Sequence, residues 1–240
     1  MRWWLRFKVW VINLFAQKVP TPLPPPIIIP EPEEEPTIVV IPPTAVIPSG
    51  PKEPDYSFTP GQYINHYQTL WETMVIKPEK MSTVYWYINK IEEGKGRYFS
   101  VSRSSGVPWQ IIAVIHVLES GGDFRGVLHN GERIIGTGKK TRLVPAGRGP
   151  FETWEEAAID ALAIKKQPEE WNIVNALYYL ERFNGLGYLR DRKKPHSPYL
   201  WSFSKHYFRG KYTSDGNYSR TAVSKQCGAA VLLKKLGFLS

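Results

Sequence analysis

Polar and apolar positions sort the chain from Gln62 onward into helical blocks. Apolar residues recur at helical spacing from Tyr63, which predicts a helix near residues 62–76 and another near 78–93. The clearest block is Trp109-Gln110-Ile111-Ile112-Ala113-Val114-Ile115-His116-Val117-Leu118-Glu119-Ser120. Between Ile111 and Leu118 only His116 is polar, so this helix is expected to be buried nearly all round. Pro108 suits its first turn and Gly121-Gly122 its end. Next, Arg133-Ile134-Ile135 and Thr141-Arg142-Leu143-Val144 flank Gly136-Thr137-Gly138-Lys139, which predicts a small hairpin.

The pattern then returns to helices. Thr153-Trp154-Glu155-Glu156 is a capping box opening a helix through Ile164, and a further helix is expected from about Glu169 to Arg182, closed by Asn184-Gly185. Ser197-Pro198 starts another. A turn at Asp215-Gly216 precedes a last helix from about Arg220 to Lys235, stopped by Gly237. The expected class is mainly α (α+β), with one small hairpin placed just after the central buried helix. No internal repeat is present.

Composition divides the 240 residues further. Fourteen of the 21 prolines fall between Pro20 and Pro60, so residues 20–61 read as an extended linker without a core. Residues 62–240 are enough for one compact domain. Residues 1–19 hold Arg2, Arg6, Lys8 and Lys18, no acid, and three of the nine tryptophans. Trp3, Phe7, Trp10 and Leu14 follow helical spacing, so this stretch reads as an amphipathic anchor for a membrane surface or a docking helix for a protein partner. It is too short and too interrupted by charge to span a bilayer, and it lacks a clean small-residue cleavage site before Pro20.

The formal charge of +9 sits on the domain, because residues 1–61 carry five basic and six acidic groups. A basic surface suits nucleic acid, an anionic membrane or the teichoic and peptide carboxylates of a cell wall. No phosphate-binding glycine loop, zinc spacing or RNA-binding aromatic motif accompanies it, so no specific nucleic-acid partner is expected. Cys227 is the single cysteine, which excludes an internal disulfide, and it reads as a small core residue. The five histidines show no metal-ligand spacing, and no metal or cofactor is expected.

Glu119 is the residue at which chemistry is expected. A carboxylate at a helix C-terminus faces the negative end of the macrodipole, and the surrounding Val and Leu groups strip its water. Both effects favour the protonated form, as a general acid requires.

The segment Ile115-His116-Val117-Leu118-Glu119-Ser120-Gly121-Gly122-Asp123-Phe124 resembles the Glu-Ser context of goose-type lysozymes and lytic transglycosylases. Glu181-Arg182-Phe183-Asn184-Gly185-Leu186-Gly187-Tyr188 is similar to their Tyr-Asn-x-Gly segment, which lines the sugar cleft. Together with His129-Asn130-Gly131-Glu132, Pro198-Tyr199-Leu200-Trp201-Ser202-Phe203 and Lys225-Gln226-Cys227-Gly228-Ala229-Ala230, residues 62–240 resemble the lysozyme-like peptidoglycan hydrolases of phages and bacteria. Phe183 replaces the tyrosine of many relatives, and the Gly-Leu-Met-Gln stretch of lytic transglycosylases is absent.

That resemblance implies a lysozyme-like fold and a muramidase acting on the bond between N-acetylmuramic acid and N-acetylglucosamine, with peptidoglycan as partner. It implies a place in the cell envelope or periplasm, or on a virion as a phage lysin. Glu119 would donate a proton to the glycosidic oxygen. Direct attack by water needs a second carboxylate, on the order of 6.5 to 9.5 Å away in an inverting enzyme. Glu132 is the first candidate, ahead of Asp123, which is expected to cap the turn. Lytic transglycosylation, in which the muramic acid's own hydroxyl attacks, needs no second carboxylate. Ser120, His129, Asn130, Asn184, Tyr188, Tyr199 and Trp201 are the candidate sugar-binding residues, since a sugar site needs aromatic faces and short polar groups. His116 reads as a core histidine. The alternative reading is a non-catalytic wall-binding or structural component of a tail-like assembly that retains the fold.

Overall fold

A computed structural model describes residues 60–189, 195–214 and 216–238, with side chains from Tyr63 onward. The expectations for residues 1–19 and for residues 20–59 lie outside the described residues. Seven helices and one two-stranded antiparallel hairpin make up the regular structure of these residues, a mainly α fold. In chain order they are α1 (Pro60–Glu72), a 3-10 turn (Pro78–Lys80), α2 (Met81–Ser105), α3 (Trp109–Ser120), α4 (Trp154–Ala163), α5 (Ile173–Asn184), α6 (Pro198–Trp201), β1 (Lys211–Ser214), β2 (Asn217–Ser219) and α7 (Ala229–Lys235).

The central helix α3 is buried from Ile111 to Ser120 without interruption, as its pattern requires. It packs against α2, α5 and α7. Each fully buried Ile, Val or Leu contributes about 1.5 to 3 kcal/mol of transfer free energy, so this one helix carries a large share of the drive to fold. Gly121 ends it at φ +66°, in the left-handed region where a side chain would be strained.

Helix α2 runs twelve residues past the expected end near 93. Glu92-Glu93-Gly94-Lys95-Gly96 looks like a stop, because glycine disfavours helix by about 1 kcal/mol each. Tertiary packing overrides it. A β-carbon on Gly94 would lie 2.6 Å from Phe124 Cζ, so the glycine lets the segment after α3 close onto α2. Tyr98 and Val101, beyond the glycines, are fully buried.

The helix starts follow their caps. Thr153 Oγ1 accepts the Glu156 N–H at 3.3 Å, and Glu156 Oε2 accepts the Thr153 N–H at 3.1 Å. Asn172 Oδ1 accepts the Asn175 N–H at 2.9 Å, which starts α5 later than the sequence pattern suggests. The last helix is shorter than expected and begins at Ala229. Ahead of it, Ser219 Oγ accepts from Ala222 N, Tyr207 Oη from Ser224 N, and Ser224 Oγ from Gln226 N. Side-chain acceptors thus take the N–H groups a longer helix would have used.

The hairpin expected at 133–144 does not form. Among the described residues that region has only the isolated bridge Gly126↔Arg133; the Gly136 and Thr141 N–H groups go to the Phe151 and Arg148 carbonyls, and those of Arg142 and Leu143 to the Glu132 carboxylate, so the two halves do not pair. Among the described residues the single hairpin is β1–β2, closed around Gly216 and paired Lys211↔Ser219 and Tyr212↔Tyr218, so it follows α6 and not α3. No helix of the described residues is long and apolar enough to cross a membrane.

His116 sits in an aromatic box in the core. Its ring lies 4.5 Å from Phe124, 4.6 Å from Trp154 and 5.7 Å from Tyr98 between centroids, and Nδ1 is 2.8 Å from Tyr98 Oη. Burial pushes the imidazole down from 6.5 to about 4, against an opposing backbone interaction at Asp123. The unfolded chain therefore binds this proton more tightly than the native one. The stability involved is present above pH 6.5 and is lost as pH falls towards 4, in total roughly 3 kcal/mol. We expect the unfolding free energy to drop between pH 7 and 4, and His116→Gln to flatten that drop by about this amount. Equal slopes for the two proteins in denaturant titrations would refute the assignment.

Candidate active site

Glu119 occupies the last turn of α3 and is 95 % shielded from solvent. The Tyr199 hydroxyl, from α6, donates to its Oε1 at 3.3 Å. Burial, followed by the Glu119 charge, holds the Tyr199 phenol well above its ordinary value of 10.0, so tyrosine serves here as a proton-bearing donor. Local bonds fix the helix end. Ser120 Oγ donates to the His116 carbonyl at 3.0 Å, and Gln226 Nε2 donates to the Leu118 carbonyl at 2.6 Å. Tyr199 is held from below as well. After α6 the chain turns through Phe203 at φ +71°, while Lys77 N donates to Phe203 O and Lys205 N to Val75 O, each at 2.9 Å. These bonds clamp the α6 segment against the approach to α2.

Sequence reasoning missed a second carboxylate at this end of the molecule. Glu181, on α5, is fully buried and accepts the Tyr67 hydroxyl of α1 at 3.0 Å. Its charge also acts on Tyr199, so four side chains from α1, α3, α5 and α6 share one polar region inside an apolar core. A signal existed: Val174, Leu177 and Glu181 follow i, i+3, i+7 spacing, which places an acid on the buried stripe of α5.

The remaining candidates divide. Tyr199 comes to Glu119, with Ser120 next to it in the chain. Trp201 lies in the core at 1 % exposure, edge-on to His206, so it offers no face to a sugar. Tyr188 is buried, and its oxygen accepts the Tyr212 N–H at 3.1 Å, tying the chain after α5 to β1. Asn184 ends α5 and is half-buried.

His129, Asn130 and Glu132 belong to the irregular lobe after α3. His129 Nε2 is 2.7 Å from Asp160 Oδ2, and Arg148 forms an ion pair with the same carboxylate. Burial pushes His129 down while Asp160 opposes it. At Asp160 burial works against ionisation, yet the hydrogen bonds from Arg148 and His129 prevail and hold it below the usual carboxylate range. This triad stitches the lobe to α4. Asn130 Oδ1 accepts from Glu132 N at 3.1 Å, and its Nδ2 donates to Leu143 O at 3.2 Å.

Glu132, the candidate for activating water, spends its carboxylate on the backbone. It accepts the Arg142 N–H at 2.9 Å and the Leu143 N–H at 2.5 Å. Asp123, the other candidate, accepts from Arg125 at 2.9 Å and Arg133 at 3.0 Å, and also takes the Arg125 N–H as a turn residue does. Hydrogen bonding to Arg125 is the main cause of its lowered pKa. Among the described residues no group of three or more His, Cys, Asp or Glu side chains is arranged to hold a metal ion.

No protein-family model, curated protein or solved structure matches the chain.

Removing the Glu132 carboxylate leaves two backbone N–H groups without their acceptor. We expect Glu132→Ala to cost about 1 to 3 kcal/mol and to accelerate hydrogen exchange at the Arg142 and Leu143 amides. Unchanged exchange at both amides would show that the carboxylate does not hold the loop.

Proposed function

We propose that this chain is a lysozyme-like peptidoglycan muramidase, cutting the bond between N-acetylmuramic acid and N-acetylglucosamine with Glu119 as general acid. The observation that carries the reading is a buried carboxylate at the end of a helix buried from Ile111 to Ser120, with a phenol donating to one of its oxygens. Tyr199 donates to Glu119 Oε1, so a phenol holds in place the carboxyl that delivers the proton. As the glycosidic oxygen takes that proton, the bond to an oxocarbenium-like carbon breaks. The carboxylate left on Glu119 is then stabilised by the Tyr199 hydrogen bond, which strengthens as charge develops.

Of the two outcomes at the sugar carbon, the bonding of the acids favours lytic transglycosylation. Glu132 and Asp123 are both committed to structural hydrogen bonds, and Glu181 is closed to solvent. Attack by the muramic acid's own hydroxyl, with Glu119 taking its proton, needs none of them. The resemblance noted in the sequence supports the same class of substrate. In this reading residues 1–19 would hold the enzyme to a membrane surface or a partner protein in the envelope or on a virion. Residues 20–61 would supply reach towards the wall.

The test is mass spectrometry of muropeptides released from purified peptidoglycan by the full chain. Anhydro-muramic acid ends that vanish in Glu119→Gln are expected, with a rate loss of about 10² to 10⁴. Reducing ends would instead establish hydrolysis and return attention to a second carboxylate. No Glu119-dependent product would overturn the enzyme reading. Tyr199→Phe should lower kcat roughly tenfold, the worth of one hydrogen bond to a charged group. An unchanged kcat would remove Tyr199 from the mechanism.

A further inference from the structure

Residues 121–150 contain six basic and two acidic side chains, and the structure disposes of both acids. Asp123 is taken by Arg125 and Arg133, while Glu132 is taken by the backbone of Arg142 and Leu143. Arg148 pairs with Asp160 of α4. Lys139, Lys140 and Arg142 remain, all exposed and without an ion pair among the described residues. Arg133 is exposed beside them, since Glu132, its chain neighbour, holds the Arg142 backbone.

The loop that carries these cations is built rather than loose. Thr141 is buried, its Oγ1 donates to Pro145 O at 2.6 Å and accepts Arg148 N at 2.9 Å, and its N–H donates to Arg148 O at 2.9 Å. Thr137 Oγ1 donates to Ile134 O at 2.7 Å. Like charges held together in this way repel one another, and a polyanion would relieve the repulsion with little backbone ordering still to be done.

The chemistry of the loop narrows the partner. Residues 136–148 contain no aromatic side chain on which a base could stack, and they form neither a helix nor a strand that could enter a groove. The ammonium and guanidinium groups of Lys139, Lys140 and Arg142, exposed on the loop, offer charge to a repeating anionic backbone. We propose that the 136–142 loop is a docking surface for a polyol-phosphate polymer of the cell wall. This choice of polymer rests on the muramidase reading; the cationic loop does not.

The experiment compares the full chain carrying Glu119→Gln with the same chain also carrying Lys139→Gln, Lys140→Gln and Arg142→Gln. Binding to poly(glycerol phosphate), to poly-glutamate and to duplex DNA is measured from low to high salt, with thermal melts to show that both proteins are folded. The expected result is tightest binding to poly(glycerol phosphate), weakened at least tenfold by the triple change, with a shallower salt dependence. Equal binding by the two proteins would overturn the docking surface. Tighter, loop-dependent binding to DNA would overturn the wall-polymer assignment in favour of nucleic acid. Neither result touches Glu119, because cleavage is already disabled; conversely, failure of the muropeptide test would leave loop-dependent polymer binding standing.

Discussion

The burial of α3 on every side is the constraint from which the rest of this structure follows. A helix with one polar side chain between Ile111 and Leu118 has no face to offer water, so the other elements must enclose it. Helices α2, α5 and α7 do so. The enclosure also decides the setting of Glu119. The helix delivers its carboxylate into the protein interior, and the stop at Gly121 prevents the chain from carrying it out to solvent. A polar group in that position must be satisfied from elsewhere in the fold.

Tyrosines supply donors here. Tyr199 reaches Glu119 and Tyr67 reaches Glu181, so each of these buried carboxylates accepts a phenol from a distant helix. A phenol donates one proton and, when burial holds its pKa high, keeps it. It therefore orients a carboxylate without neutralising it. The donors come from α1 and α6, far apart in sequence, and the polar region exists only once these helices close on α3 and α5.

The lobe between α3 and α4 follows another logic. Phe124 and Leu128 join it to the main core, Val127, Ile134 and Phe151 form a small separate cluster with Ala157 of α4, and side-chain hydrogen bonds to its own backbone hold the rest. Glu132, Asn130 and Thr141 act as staples, and the His129–Asp160–Arg148 set fastens the lobe to α4. Because its acids are used internally, its unpaired cations face outward. The same hydrogen bonds that give the lobe its shape thus produce its surface charge.

From sequence alone, the helical class, the buried run of α3, the cap of α4 and the turn at Gly216 were legible, because each depends on residues near one another in the chain. Periodicity, capping and glycine stops are local physics. The ends of α2 and α7, the place of the hairpin and the partners of the acids were not. Gly94 reads as a breaker until Phe124 packs on it, and Arg133 to Val144 reads as alternating strands until Glu132 claims the Arg142 and Leu143 N–H groups. Trp201 and Tyr199 are two positions apart and equally aromatic, yet one fills the core against His206 and the other meets Glu119. Which acid is a staple, and which meets a phenol inside the core, depends on donors up to 114 residues distant. Only the closed tertiary structure brings those donors within hydrogen-bond reach.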